Sequence, residues 1–234
     1  MVTFEATIQD KKVKMFARYP FKNAAGTIVK TLVQISQKID IFTDKFVMGF
    51  GWAYFFLNKK EDENGEEFWV LQTTDFNKNP MTDKTEDITT ALMVQNMQIE
   101  AIQVSKSQPM ATTFKDTVLV LKEAMNAEDI YLNRSEPEKE GDSGWYFGLL
   151  DDPNEDTHSS DDYIVVPSYQ FLKIRPAVLR LLQMPVGTVA VIHQNEITAL
   201  VDKDDKPLNF TNPPKKPKNN ETEISEEKPS ENKE

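Results

Sequence analysis

Between Glu136 and Asp162 the chain carries ten acids, Glu136, Glu138, Glu140, Asp142, Asp151, Asp152, Glu155, Asp156, Asp161 and Asp162, against the single base Lys139. Ionised carboxylates do not leave water without partners, so this segment must run along the surface of whatever fold the chain adopts. Its uncharged centre, Ser143-Gly144-Trp145-Tyr146-Phe147-Gly148, is the part suited to a core, and it reads as a short aromatic strand between glycines. An aromatic pair beside Asp142 also suits a binding hot spot, with rings supplying area and the carboxylate meeting an incoming Lys or Arg. The preferred reading keeps the rings in the core and leaves Asp142 and the flanking acids to meet a partner.

The segment's net charge of −9 supplies most of the −11 carried by the whole chain. Such a field repels phosphate backbones and draws in cationic protein surfaces, so a basic protein partner is expected and nucleic acid is not. A charged run of this kind can also simply stay solvated. The absence of cysteine removes disulfides, thiolate metal sites and cysteine nucleophiles. Residues 1–19 show no apolar export segment, and apolar runs such as Trp52 to Leu57 fall far short of the ~20 residues that span a bilayer. A cytoplasmic protein with no membrane partner is expected.

At 234 residues, two small domains and a tail are expected. Val13 to Tyr19 reads as a strand. Phe46 to Leu57 and Phe68 to Thr73 read as a hairpin about Glu63-Asn64-Gly65, with Trp52, Tyr54 and Phe56 on one face and Phe55 and Leu57 on the other. Both faces of that strand are expected to be covered by a helix or sheet. A helix is expected from Lys84 to Val104, capped by Asp83 with Glu86 reaching back. Phe114 to Met125 fits a strand followed by a short helix, and the pattern does not decide between forms. Beyond a boundary near Asn126, Ile130 to Asn133 and Tyr163 to Val166 read as strands. Ser168 caps a helical turn, Pro176 opens a second helix, and Thr188 to Ile192 with Ile197 to Val201 close as a hairpin.

Catalytic patterns fail in turn. Two histidines, His158 and His193, are too few for a histidine-rich metal site and read as surface residues. No nucleophile elbow, phosphate-binding loop or zinc-protease helix occurs. Asp152, Asn154 and Asp156 alternate as in a calcium loop, but Thr157 stands where glycine is needed and Tyr163 where a bidentate glutamate belongs. The expectation is a protein that is not an enzyme and needs no cofactor or metal.

The series Ile130-Tyr131-Leu132-Asn133-Arg134-Ser135-Glu136-Pro137, then Asp142-Ser143-Gly144-Trp145-Tyr146-Phe147, an acid-rich gap, the apolar segment around Tyr163 to Leu172, and Pro176 to Leu182 before Pro185-Val186-Gly187-Thr188 resembles the bacterial immunity protein 33 family, also described as a domain of unknown function. That family typically shows a strand ending in an Arg-Glu-x-Pro-like run, an Asp-Ser-Gly-Trp core, an acidic stretch and a Leu-x-x-Pro-x-Gly close. The likeness covers residues 128–205. Tyr146 stands where relatives often carry a basic residue, and Gly148-Leu149-Leu150 replaces a more polar continuation, which bears on partner identity more than on fold. The resemblance implies a toxin-neutralising protein of a polymorphic toxin system.

Together these readings give an α+β chain of two small mixed domains with antiparallel sheets: residues 1–125 of open role, residues 126–210 immunity-protein-like, and residues 211–234 a disordered polar tail. The expected partner surface comprises Asp142, Trp145, Tyr146, Asp151, Asp152, Glu155, Asp156, Asp161 and Asp162, docked on a basic toxin. The alternative is a non-enzymatic regulatory or adaptor protein whose N-terminal domain binds the ligand.

Overall fold

Gln9 and Asp10 both take the left-handed backbone conformation, with φ of 49° and 63°, and so reverse the chain between β1 (Val2–Ile8) and β2 (Lys11–Ala17). This hairpin begins a six-stranded sheet in the computed structural model, which describes residues 1–18 and 21–212. Tyr19, the expected end of the second strand, lies outside the described residues. Helix α1 (Lys22–Ser36) follows and buries Ala25, Ile28 and Leu32 at helical spacing. Neither β1 nor α1 figures among the expectations, because β1 buries only Ile8 and Gly26 and Thr27 blur the helical pattern.

The Asn-Gly hairpin forms as expected between β4 (Ala53–Glu61) and β5 (Glu67–Thr74). Asp62 organises its turn by accepting the amides of Asn64 and Glu66, each at 2.9 Å, while Gly65 takes a φ of 79°. The expected strand from Phe46 to Leu57 is instead broken at Gly51, whose φ of 61° folds β3 (Val47–Phe50) back on β4. Trp52 thereby leaves the face shared by Tyr54 and Phe56. Ala53, Phe55 and Leu57 point to the core, and Tyr54 and Phe56 on the opposite face are only half-buried, Tyr54 meeting Phe114 edge-on. Lysine stems lie over that face: Lys84 lies 4.0 Å from the Phe56 ring centre and Lys115 lies 4.8 Å from that of Tyr54.

The helix expected from Lys84 starts later. Lys84–Thr85 pairs with β5 as β6, and α2 runs over Thr89–Ser105 with Asp87, not Asp83, accepting the Thr89 amide at 3.0 Å. Asp83 accepts the Asn79 amide and Glu86 pairs with Lys60, so the expected capping box is absent. Leu92 and Val94 are buried, Met97 and Ile102 partly so, and Met93 and Ile99 are exposed.

The second sheet runs β10 (Tyr163–Pro167), β7 (Thr117–Leu121), β9 (Asp142–Leu149), β8 (Asp129–Arg134), β11 (Val189–His193), β12 (Glu196–Val201). Strand β7, placed by the expected boundary in the first unit, lies between β10 and β9. The change of pattern near Asn126 marks a 3-10 turn, Lys122–Asn126, that ends β7 and leads into β8 within one sheet. The expected α+β chain with largely antiparallel sheets is what forms, and each sheet adds one parallel pair, β2 with β5 and β7 with β9. The short helices α3 (Phe171–Ile174) and α4 (Pro176–Leu181) cover one face of the sheet, with Pro176 at the first turn of α4 and Phe171 against Phe147.

Ser168 is no cap. Its buried hydroxyl donates to Thr113 O at 2.8 Å and accepts the Trp52 indole N–H at 3.2 Å. Trp52 is fully buried, stacks on Phe76 and meets Phe114 edge-on, so it rivets the first sheet to the segment leading into the second. One hydrophobic cluster accordingly runs through both sheets. Thr211 and Asn212, assigned to the tail, are held instead: Asn212 bonds the backbone of Ile197 in both directions at 2.8 Å, and Thr211 donates to Glu100 at 2.7 Å. The rest of that tail, residues 213–234, lies outside the described residues.

Replacing Trp52 with alanine removes its ring contacts with Phe76 and Phe114 and its hydrogen bond to Ser168, and should cost ~3–5 kcal/mol. Urea unfolding should show this loss and a single transition in wild-type protein, whereas two separate transitions would mean that the sheets do not share a core.

Candidate protein-docking face

Arg134 ends β8 and is 1% exposed. Its guanidinium is surrounded by oxygen: Nε donates to Ser143 O at 3.1 Å, Nη1 to Leu182 O at 2.8 Å and to Met184 O, and Nη2 to Thr112 Oγ1 at 2.8 Å. Trp145 stacks beneath it, 5.6 Å from ring centre to guanidinium carbon, and sends its indole N–H to Leu182 O at 3.2 Å. Leu182 follows α4, so a buried cation closes the electronegative end of that helix. Burial pushes the arginine down to about 10, while Asp116, Glu136 and Asp142 pull the other way. Three of the runs that carry the resemblance, around Arg134, around Trp145 and from Leu182 to Gly187, therefore meet in one knot, and Gly187 N to Arg134 O at 2.8 Å and Ser135 N to Gly144 O at 2.8 Å complete it.

This knot places Trp145 in the interior. At 1% exposure its ring cannot serve as a partner contact, which corrects its inclusion in the expected surface. Period two then turns Tyr146 to the opposite side of β9, the side that α3 and α4 leave open. There Tyr146 faces Leu119 of β7, which in turn faces Val165 of the edge strand β10. Leu119 is 43% exposed and Val165 63%. Tyr131 and Tyr163 flank Tyr146 in a row, with ring centres 5.5 and 6.1 Å from its own. Burial and the neighbouring phenols raise Tyr146 above the ordinary phenol range. Gly148 makes room for this row: a Cβ there would fall 2.7 Å from Tyr146 and 2.9 Å from Tyr131.

The acids do not form one patch. Asp142 opens β9 and the loop from Asp151 to Asp162 follows its far end, so the two groups are separated by a strand of eight residues, about 23 Å at ~3.3 Å per residue. Glu136, Glu138 and Asp142 border one end of the open face and line a groove of about 270 Å³ together with Leu119, Tyr146 and Val165. Asp142 is fixed there by the amides of Glu138 and Gly144 at 3.0 and 2.9 Å.

At the other end, part of the loop is turned inward. Asp152 accepts the Asn154 amide at 2.8 Å and the His158 Nε2 proton at 2.7 Å, and Asp162 accepts the amide and hydroxyl of Ser159. These bonds hold Asp152 and Asp162 below the usual carboxylate range, and the bond to Asp152 raises His158. Asp151, Glu155, Asp156 and Asp161 make no side-chain bond or ion pair among the described residues and face solvent. The alternating Asp152, Asn154 and Asp156 form a turn, and no group of three His, Cys, Asp or Glu that could hold a metal occurs among the described residues. His193 likewise pairs with a carboxylate, Asp129, at 2.8 Å.

Residues 97–203, under half of the chain, match the family model described as an Imm33-like domain. The matched region is the C-terminal one, and the N-terminal region has no assigned family. It starts well before the likeness read at 128–205, inside α2, where buried Gln98 donates to Leu179 O of α4 at 3.0 Å, and it includes β7. No curated protein and no solved structure matches the chain. Among the described residues, no helix is long and apolar enough to cross a membrane.

Arg134→Met should cost ~3–5 kcal/mol, because the carbonyls of Leu182 and Met184 and the Thr112 hydroxyl lose their buried donor. Thermal unfolding of the variant reads this directly. For the loop, His158 stabilises below its ordinary 6.5 and loses that effect as pH rises through its raised folded value. Asp152 stabilises above its ordinary 3.8 and loses the effect as pH falls through its lowered value. Both act together between those limits. Imidazole titration by NMR should therefore place His158 above 6.5 in wild-type protein and lower it in Asp152→Asn; an unchanged midpoint in the variant contradicts the pairing.

Proposed function

We propose that this chain is an immunity protein that binds a cognate bacterial toxin and masks it by occlusion, with no chemistry of its own. The observation that carries the reading is a coincidence of location: the Imm33-like match covers the sheet whose open aromatic face is bordered by carboxylates at both ends. A basic toxin surface is the complementary partner. Asp151, Glu155, Asp156 and Asp161, which have no internal bond to satisfy, supply the steering field, and the half-buried aromatic face supplies area for affinity. Such a role calls for action in the cytoplasm, where a toxin reaches its target.

The second reading, an adaptor whose N-terminal unit binds the ligand, is favoured by an open cleft on the first sheet where Lys11 lies 4.6 Å from the Phe42 ring centre. That cleft mixes Lys11, Lys12 and Lys59 with Asp10, Asp44 and Glu67, and defines no ligand chemistry.

The test is co-expression with candidate toxin domains, sought first among the products of neighbouring genes, followed by measurement of growth and of association rate. Growth should be restored and a stoichiometric complex isolated. Replacing Asp151 and Asp156 with Asn, Asp161 with Asn and Glu155 with Gln should slow association by roughly tenfold at low salt and flatten its salt dependence. Steering is excluded by a rate indifferent to both changes, and the immunity reading fails if growth is not restored.

A further inference from the structure

The rows of the second sheet place two aliphatic side chains and an aromatic one in line on its open side: Val165 opposite Leu119, and Leu119 opposite Tyr146. Isolated exposed aliphatics are ordinary, but an adjacent pair 43% and 63% exposed on a sheet face, continuous with a row of three tyrosines, is an apolar strip left uncovered. The chain covers other such faces. Lysine stems close the outer aromatics of the first sheet, and α3 and α4 close the inner face of the second. Over Leu119 and Val165 no such cover is present among the described residues.

The charge beside the strip selects what fits it. Glu136, Glu138 and Asp142 stand at the end of the groove, with Lys139 the one base among its lining residues. Two amides hold the Asp142 carboxylate in place, so an approaching cation meets a preorganised acceptor that need not lose rotamer freedom. A second copy of this chain is a poor occupant, because a two-fold contact centred on the groove would gather two sets of the same three carboxylates into one interface with no matching excess of bases.

We infer that the groove between Leu119, Tyr146 and Val165 is the docking site for a lysine- or arginine-bearing polypeptide segment, whose aliphatic stem lies on the strip while its cationic head reaches Glu136, Glu138 and Asp142. This deepens the immunity reading and rests on it for the identity of the partner: the segment belongs to the toxin, and the steering acids near Asp151 lie at the other end of the sheet. The division of labour follows from the geometry. Long-range attraction comes from the exposed, unbonded carboxylates, and the fixed register of the bound state comes from Asp142 and the apolar strip.

The probe is the synthetic peptide acetyl-Val-Lys-Leu-Arg-Val-Lys-amide, titrated into the full-length methyl-labelled chain and followed by NMR. A control peptide replaces every Lys and Arg with Glu. Methyl shifts are expected at Leu119 and Val165 with the basic peptide and not with the acidic one. Leu119→Asp should abolish them at Val165, and the double change Glu136→Gln and Glu138→Gln should weaken binding roughly tenfold without touching the apolar floor. Both sites are at the surface, and unchanged circular dichroism certifies the fold of each variant. The inference is overturned by shifts confined to residues 151–162, by equal response to the acidic peptide, by no response at all, or by concentration-dependent dimerisation that Leu119→Asp removes. If the toxin complex forms at wild-type strength with Leu119→Asp, this site is wrong while the immunity reading stands. If the peptide binds as described but growth is not restored against the toxin, the reading fails and the site remains.

Discussion

A guanidinium enclosed by carbonyl oxygens holds the second sheet in shape. Arg134 joins the end of β8 to the start of β9 through Ser143, to the close of α4 through Leu182 and Met184, and to the incoming segment through Thr112. A buried charge of this kind is tolerable only when every donor is answered, and an alternative packing of α4 would leave it unanswered. Its demand for partners therefore dictates where α4 ends, how the Pro185-Val186-Gly187 turn passes, and which side of β9 carries Trp145.

The open face is a consequence of that arrangement. Once Trp145 and Phe147 are committed inward, alternation commits Tyr146 outward, and Gly148 must be small because two tyrosine rings lie across it. Antiparallel pairing of β7 with β10 then aligns Leu119 with Val165 on the same side. The acidic stretches, which cannot enter the core, leave from the two ends of β9 and frame the face between them. Core and candidate interface are thus the two sides of one strand.

Much of the second sheet could be read in advance. Ile130 to Asn133, the glycine-flanked aromatic hexapeptide, Tyr163 to Val166, Pro176 at a helix start and the final hairpin all lie where their local patterns put them. Strand β7 could not be placed, because Thr117-Val118-Leu119-Val120-Leu121 is apolar at almost every position and shows no preferred side or neighbour. The same uniformity hid Leu119 from the candidate site. In the first sheet, Gly51 interrupts what reads as one aromatic strand, and β6 takes the residues that resemble a helix start. In both cases pairing with a distant strand outweighed a local preference.

The ten carboxylates between Glu136 and Asp162 determined by themselves that they stay in water and that only the uncharged hexapeptide between them can supply side chains to a core, since the cost of desolvating a charge does not depend on fold. Where the acids end up relative to one another was decided by tertiary structure alone. A strand of eight residues separates Asp142 from Asp151, and hydrogen bonds to His158, to Ser159 and to backbone amides absorb some carboxylates while leaving others free. Charge is a property of residues, but a charged surface is a property of the distances between them, and those are set by strand pairing across the sheet.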